Sequence, residues 1–362
     1  MPEVTALAHY VHKYITELLE RKKLAKESGE ANDEDSIEQE FVVEQLLHIA
    51  ITMDYSDEVG RRKMFSLLRE SLAVPELPQE TTKLVIETLR CVCGPDLTAE
   101  NEFCDVILEA IAEVHDTITT EDSFVSAKSE MSDDGSSSRH RSETPGGASE
   151  MSFNKEEAKA KILKEIVVNM KCLHIALCML QNVEGNLQQN VNLVTMLNNL
   201  VVPAVRSHEA PIRERGLECL GLCCLLDKTL AEENMTLFIH CYSKGHEALQ
   251  VTALQILCDM LTTHPTLLAP VTQPDGETVS APPFQKPLLK VFARALKASS
   301  PNNVQSAAAT ALSKLLLTSA FSPSGPSVPP AIQEMNQAAV ETLLMSLVVT
   351  FFHPRTKENP GL

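Results

Sequence analysis

The chain has 362 residues, of which 44% are apolar and only 4% are aromatic, and it contains no tryptophan. This composition suits helices packed on helices better than a β-sandwich, and the length is enough for two ordinary domains or one elongated domain. The formal net charge of −18 at pH 7 excludes a general polyanion binder, so a nucleic-acid site would have to be a local basic patch.

Helical pairs are predicted over residues 1–118. Apolar residues recur at helical spacing from Val4 to Leu19 and from Ile37 to Ile51, with a polar linker at 26–35 between them. The polar corner DYSDEVG (54–60) precedes a further helix at 59–72, and another pair is expected at 80–94 and 99–118.

Residues 119–153 differ sharply in composition, because Ser, Asp, Glu and Gly dominate them. Such a segment cannot bury enough apolar surface to order itself. The sequence therefore predicts a disordered linker here.

Helices resume over 154–263 and again over 286–362, on either side of a Pro-rich loop at 264–285. The expected helices are 155–183, 187–202, 209–227, a short one at 231–243, 246–263, 286–298, 302–319 and 330–352.

An internal repeat is the most informative pattern. HEAPIRERGLECL, GHEALQVTALQIL and PNNVQSAAATALSKL each join a polar corner to a helix, with Ile212, Leu249 and Val304 in equivalent places. The intervals are 37 and 55 residues. Removing about 18 residues for the Pro-rich loop brings the second near the first, at the low edge of the HEAT range. SDEVGRRKMFSLL (56–68) has the same form. The sequence thus predicts an all-α fold, a HEAT-repeat α-solenoid whose antiparallel helix pairs form a curved superhelix.

No catalytic constellation is present. The chain has no phosphate-binding G-x-x-x-x-G-K motif and no G-x-S-x-G motif. A metal cluster could be imagined from Cys219, Cys223, Cys224, His240 and Cys241, but these lie at helical spacing in Leu-rich stretches and no C-x-x-C pair occurs. Six of the ten cysteines lie inside apolar helical patterns, and we interpret them as reduced core thiols of an intracellular protein: Cys172, Cys178, Cys219, Cys223, Cys224 and Cys258. We expect no cofactor, metal or small-molecule substrate.

Membrane insertion is not expected, because no uncharged apolar run reaches the length of about 18 residues that a span needs. The chain also lacks an N-terminal apolar signal. The sequence therefore predicts a soluble protein.

Three groups of basic residues could contact a polyanion. The first group consists of consecutive residues on a repeat helix. The second group clusters at the corner before residue 209, and the residues of the third recur about every four positions as a cationic stripe. They are, in chain order, Arg61, Arg62 and Lys63; Arg206, Arg213 and Arg215; and Lys286, Lys290, Arg294 and Lys297. The simpler interpretation of each is a solvated helix face or an ion pair within its repeat. Asp57 and Glu58 are expected to cap the helix that follows them.

Four segments together resemble one family. DYSDEVGRRKMFSLLRE (54–70), LVVPAVRSHEAPIRERGLECLGLCCLLD (200–227), LFIHCYSKGHEALQVTALQILCDML (237–261) and FFHPRTKEN (351–359) are similar to the G subunit of condensin (CAP-G), a HEAT-repeat family. The resemblance runs through nearly the whole chain in order and implies the central portion of a longer subunit. Apolar faces around Val4, Leu7 and Val11, and around 347–352, would then be left exposed.

The resemblance implies a non-catalytic subunit that acts in mitotic chromosome condensation. It would bind the kleisin subunit, meet the SMC ATPase subunits indirectly, and anchor double-stranded DNA without sequence specificity. The nucleus and its chromosomes are the implied location, with the cytoplasm in part of the cell cycle. The basic groups above become candidate DNA contacts. Candidate kleisin contacts lie at the corner, at Asp54, Tyr55, Asp57 and Glu58.

An alternative stays open, namely a generic HEAT-repeat adaptor of the transport-receptor or phosphatase-scaffold type that grips a protein and never touches DNA. Thr144 and Ser322 each precede a proline and are candidate phosphorylation sites, since added charge in a linker disturbs no fold.

Overall fold

The computed structural model describes residues 3–28, 34–130, 150–269, 271–272, 279–280, 284–297, 299–320, 330–354, 356 and 359, and helices make up most of them. The chain divides into two compact units, Met1–Cys219 and Leu220–Leu362.

The first unit begins with six helices of at least four turns each. They are α1 (Val4–Ser28), α2 (Glu34–Ile51), α3 (Glu58–Leu72), α4 (Gln79–Cys93), α5 (Leu97–Glu130) and α6 (Glu150–Leu180). A 3-10 turn (Leu187–Gln189) leads to α7 (Val191–Met196), a π-helical turn (Leu197–Val201) and α8 (Val202–Val205). Helix α9 (Ala210–Leu226) follows and contains the boundary between the units.

The second unit continues with α10 (Lys228–Lys244), α11 (Glu247–Thr263) and a 3-10 turn (Pro265–Leu268). Two antiparallel strands of two residues each, β1 (Val271–Thr272) and β2 (Val279–Ser280), lie within the predicted Pro-rich loop. Helices α12 (Gln285–Ala295), α13 (Asn302–Leu317) and α14 (Pro330–Phe352) complete it.

Each unit is built from two rows of helices. In the first unit, α1, α3, α5 and α7 pack side by side in one row, and α2, α4 and α6 pack in the other. In the second unit, α10, α12 and α14 form a first row, while α11 packs on α13 in the second. The core lies between the rows, and its largest fully buried side chains include Leu68, Leu84, Phe103, Phe238 and Phe292. This arrangement is the predicted helical repeat, in which each hairpin buries its apolar faces against its neighbours.

The first residue of helix α10 is set by a capping side chain. The periodicity of apolar residues alone predicts this helix start at the wrong residue. The carboxylate of Asp227 accepts hydrogen bonds from the backbone N–H groups of Thr229 (2.7 Å) and Leu230 (3.3 Å). The helix therefore begins at Lys228 and has 17 residues, as many as α11, instead of the short helix predicted at 231–243.

The boundaries around the predicted linker differ from the structure. Helix α5 continues to Glu130 and α6 begins at Glu150, so both ends of 119–153 are helical. Residues 131–149 lie outside the described residues, and disorder there stays a prediction.

The expected exposure of the first helix is wrong. Val4, Leu7 and Val11 are only 6%, 2% and 0% exposed, because α1 packs on both α2 and α3. At the other end of the chain the expectation holds, since Phe351 and Phe352 are 56% and 76% exposed.

The corner before α3 does not hold the position in the helical repeat that its sequence pattern indicates. Helix α3 is the first helix of its hairpin with α4, whereas α11 and α13, which follow the similar corners, are second helices. The likeness of 56–68 to those segments therefore does not mark an equivalent position in the repeat.

Candidate nucleic-acid and partner interface

The corner before α3 is held by its own polar side chains. Asp57 caps the helix, with its carboxylate 2.9 Å from the backbone N–H of Gly60. Asp54 accepts hydrogen bonds from both the N–H and the hydroxyl of Ser56, each at 3.0 Å. The Tyr55 hydroxyl donates to a backbone carbonyl of α2 at 2.7 Å, and burial raises its pKa. The predicted capping role of Asp57 is thus observed, and its role toward a partner stays a prediction.

Glu58 engages two of the candidate DNA contacts. Its carboxylate lies 2.7 Å from Nη2 of Arg61 and 2.6 Å from Nε of Arg62. The hydrogen bond from Arg61, joined by that from Arg62, holds the pKa of Glu58 below its ordinary value. Lys63, the third member of this group, is exposed. Two of the three cations therefore already have a carboxylate, although both pairs remain open to solvent.

The corner before α9 uses its arginines locally. Nη1 of Arg213 donates to the carbonyl oxygens of Ser207 (3.1 Å) and of the following residue (3.3 Å). Arg215 pairs with Glu218 on the same helix at 3.0 Å. Arg206 is exposed at the end of α8. Arg213 therefore stabilises the corner before α9 through these hydrogen bonds. This is a structural role within its own repeat.

The third basic group is different. Lys286, Lys290 and Arg294 lie on the exposed face of α12, opposite the buried residues of that helix, and Lys297 is exposed just beyond its end. In the described part of the chain, no carboxylate lies within 4 Å of any of the four. We call these four residues the α12 stripe. It is a row of cations that has no carboxylate partner among the described residues.

The three groups lie on different elements of the structure. Arg61 to Lys63 lie on a first-row helix, α3, and the arginines of 206–215 lie around the start of α9, both in the first unit. The α12 stripe belongs to the second unit.

The cysteines behave as core residues. Sγ of Cys219 lies 3.5 Å from the carbonyl oxygen of Leu173, and that of Cys224 lies 3.7 Å from that of Leu230. Burial raises the pKa of Cys223 to about 12, so this thiol stays protonated and unreactive at neutral pH. Where side chains are described, no three His, Cys, Asp or Glu residues come together as a metal site.

Two buried charged groups were missed in the sequence. Lys171 is 8% exposed and donates from Nζ to Thr82 and to the carbonyl oxygen of Leu77. Glu100 is 4% exposed and pairs with Arg90 at 3.4 Å. The signal was present for Lys171, a charged residue inside the apolar run VVNMKCLHIALCML (167–180), but nothing local to Glu100 distinguishes it from a surface glutamate.

The two candidate phosphorylation sites, Thr144 and Ser322, lie outside the described residues. Among the helices that can be followed, none combines the length and the apolar character that a bilayer crossing needs.

Comparison with known proteins shows what the chain is similar to. The model of the family of nuclear condensing complex subunits, C-terminal domain (Cnd3), matches residues 171–362. Condensin complex subunit 3 of Schizosaccharomyces pombe is 32% identical over 371 residues, which cover 100% of this chain and 37% of that protein. Condensin complex subunit 3 of Saccharomyces cerevisiae is 27% identical over 392 residues, with 100% and 35% covered.

A solved structure carries the same fold. The S. pombe condensin Cnd3–Cnd2 subcomplex matches with a TM-score of 0.67 and 30% identity, covering 100% of this chain and 38% of the solved chain. This likeness confirms the predicted all-α HEAT-repeat class. The chain spans little more than a third of the length of these relatives.

Proposed function

We propose a function on the premise that this chain belongs to the family of nuclear condensing complex subunits, which the match over residues 171–362 establishes. The protein acts as a non-catalytic subunit of a condensin complex in mitotic chromosome condensation. It binds the kleisin subunit and helps to anchor DNA, while the SMC subunits, which it meets indirectly, hydrolyse ATP. It works in the nucleus on chromosomes, and resides in the cytoplasm in part of the cell cycle.

The relatives support the protein partner. The solved relative forms a subcomplex with Cnd2, which we take as the counterpart of the kleisin expected from the sequence. The curated relatives are named as complex subunits. Because the chain spans only about a third of their length, the partners of the whole subunit are carried over as part of this proposal.

The single observation that carries the DNA part is the α12 stripe. Lysine and arginine side chains bind backbone phosphates by charge and release counterions, so they need no base-reading partner. The four exposed cations have no carboxylate nearby in the described chain and are free to do this. Arg61, Arg62 and Arg215 are weaker candidates, because each would first have to leave Glu58 or Glu218.

The test is charge reversal on α12. Lys286→Glu with Lys290→Glu should weaken duplex DNA binding in a mobility shift by at least ~10-fold, since attraction to two phosphates is replaced by repulsion. The matched control is Lys228→Glu with Lys244→Glu, which makes the same charge change at exposed positions of α10. A control that loses as much affinity would reject the stripe.

Co-purification with the kleisin tests the other part. Both double variants should retain the kleisin, because α12 is not required for it. If the unmodified chain holds the kleisin but binds no DNA at any salt concentration, the adaptor function without DNA contact is correct instead.

A further inference from the structure

A groove in the first unit forms a second candidate interaction surface. It lies between α6, the α7 to α8 segment and the corner before α9, and its volume is about 540 Å³. Helix α6 lines one wall through Ile162, Ile166, Asn169 and Leu173, which are spaced as one face of a helix. Leu200 and Ile212 line the opposite side. The groove therefore has aliphatic side chains on both of these walls, beside polar ones.

Apolar side chains continue beyond the groove into solvent. Ile162 is 52% exposed, and its neighbours Leu163 and Val167 on α6 are 64% and 60% exposed. Single exposed apolar residues are ordinary, but three large ones within two turns, beside a groove, mark a contact surface.

The wall opposite α6 departs from regular helix geometry. Leu197–Val201 forms a π-helical turn, and Pro203 follows it directly in the next turn. Proline cannot donate the usual hydrogen bond to the residue four before it, which accounts for the departure here. This turn places Asn199 and Leu200 on the groove wall.

The charge of the groove is acidic. Of the described residues that line it, only Glu165 and Glu209 carry a formal charge, and both are exposed. Arg206 and Arg213 lie at the same corner but are not among the residues that line the groove. Such a groove repels DNA phosphates and favours a polypeptide with basic residues.

We propose that this groove receives a segment of the kleisin that presents aliphatic side chains between lysine or arginine residues. The aliphatic anchors lie between α6 and Leu200, and the flanking cations pair with Glu165 and Glu209. This inference rests on the proposed function, because the occupant is the partner assigned there. It separates the two activities, with the kleisin segment held in the first unit and DNA held by the α12 stripe of the second.

The first experiment measures binding of the purified kleisin to the full chain by calorimetry. Ile162→Asp should weaken binding by at least ~10-fold, as removal of a buried aliphatic anchor does. The matched control is Leu317→Asp, an equivalent change at a residue that is 86% exposed in the other unit, which should leave the affinity unchanged. Equal affinities for Ile162→Asp and the unmodified chain would overturn the groove assignment.

A charge swap separates a binding role from a folding role. Overlapping synthetic peptides of the kleisin first locate the segment whose binding Ile162→Asp abolishes. Glu165→Lys with Glu209→Lys should weaken the binding of that peptide. The same double variant should bind more tightly to a version of the peptide in which the lysines and arginines are replaced by glutamate. A merely structural role for the two glutamates would give no such reversal, and its absence would reject the proposal.

The outcomes of these experiments distinguish failure of the groove assignment from failure of the proposed function. If the kleisin binds and every groove variant binds alike, the groove assignment is wrong and the proposed function stands. If the unmodified chain binds neither the kleisin nor any of its peptides, both are wrong.

Discussion

Nζ of Lys171 on α6 lies 2.5 Å from Oγ1 of Thr82 on α4. The Thr82 hydroxyl in turn donates to the carbonyl oxygen of Pro78 at 2.7 Å. One buried ammonium thus ties the connection between α3 and α4 to the next second-row helix. Burial lowers the pKa of Lys171 from 10.5 to about 8.

This pKa predicts a pH-dependent stability. Between pH 8 and 10.5 the unfolded chain keeps the Lys171 proton and the folded chain loses it, so the contribution of Lys171 to the free energy of unfolding rises with pH. The full difference is about 3 kcal/mol. Urea unfolding of the unmodified chain and of Lys171→Met should therefore diverge by up to this amount as pH rises. Lys63→Met, at an exposed lysine, should track the unmodified chain, and parallel curves for Lys171→Met would contradict the assignment.

Glu100 should matter far more than a surface glutamate in a similar pair. It accepts hydrogen bonds from the backbone N–H groups of Glu184 (3.2 Å) and Gly185 (3.0 Å) as well as pairing with Arg90. Glu100→Ala removes a buried carboxylate and leaves these half-buried donors and Arg90 without it, which should cost about 3 kcal/mol.

The matched control is Glu109→Ala, which breaks the exposed pair with Arg69 and should cost less than about 1 kcal/mol. Chemical denaturation of the two variants checks the contrast. Equal losses of stability would mean that the Glu100 pair is no stronger than a surface pair.

Gly60 is required by the close approach of α1 and α3. A Cβ added there would lie 2.8 Å from Cβ of Val4 and 2.8 Å from Oδ2 of Asp57, the capping carboxylate. Gly60→Ala should therefore destabilise the protein by about 1–3 kcal/mol, despite the higher helix propensity of alanine. Ser66→Ala, on the exposed side of the same helix, should change the melting temperature little. If Val4→Gly, which removes the Cβ of residue 4, does not partly rescue Gly60→Ala, the clash with Val4 is not the cause.

The thiols predict a decrease in stability at high pH. Burial raises the pKa of Cys104, Cys172 and Cys223 to about 12, against 9.0 for a free thiol. Above pH 9 the unfolded chain loses these protons while the folded chain keeps them, so the free energy of unfolding falls as pH rises toward 12.

The same burial predicts thiol accessibility. Of the ten cysteines only Cys91 is exposed. One thiol should react quickly with a disulfide reagent at neutral pH, and ten should react in denaturant. Cys91→Ser should remove the fast phase, and several fast thiols in the native protein would contradict the packing.

The α12 stripe predicts a change in salt dependence. Lys286→Ala with Lys290→Ala should reduce the slope of log affinity for duplex DNA against log salt by about 2, because each lysine neutralises one phosphate. Arg61→Ala with Arg62→Ala should reduce it less, because these arginines are already paired with Glu58. A larger effect at Arg61 and Arg62 would reverse the ranking of the two groups.

Much of the fold could be predicted because helix formation has a local signature. Apolar residues spaced every three to four positions predicted α9 and α11 within one residue of their bounds, and the corners at Leu249 and Val304 marked true second helices. Capping was less visible. Asp227 is the last residue of the helix predicted at 209–227, but in the structure it caps α10. The predicted helix at 231–243 is therefore shorter than α10.

The candidate site was less predictable, because charge pairing depends on which side chains meet in space. Arg61, Arg62 and the α12 stripe look alike as clusters of cations in the sequence. The pairs of Glu58 with Arg61 and Arg62 span three and four residues on one helix, a spacing that the sequence already shows. Only the folded chain shows that the stripe has no carboxylate in its described surroundings.

The sequence by itself determined the helices, the repeat and the family, because these rest on periodicity and on residue order. Tertiary structure decided which row each helix occupies, as α3 illustrates, since that depends on packing between distant segments. It also decided that Lys171 and Glu100 are buried and that α6 borders an acidic, aliphatic groove. Burial and through-space charge are properties of the packed hairpins, and no local pattern encodes them.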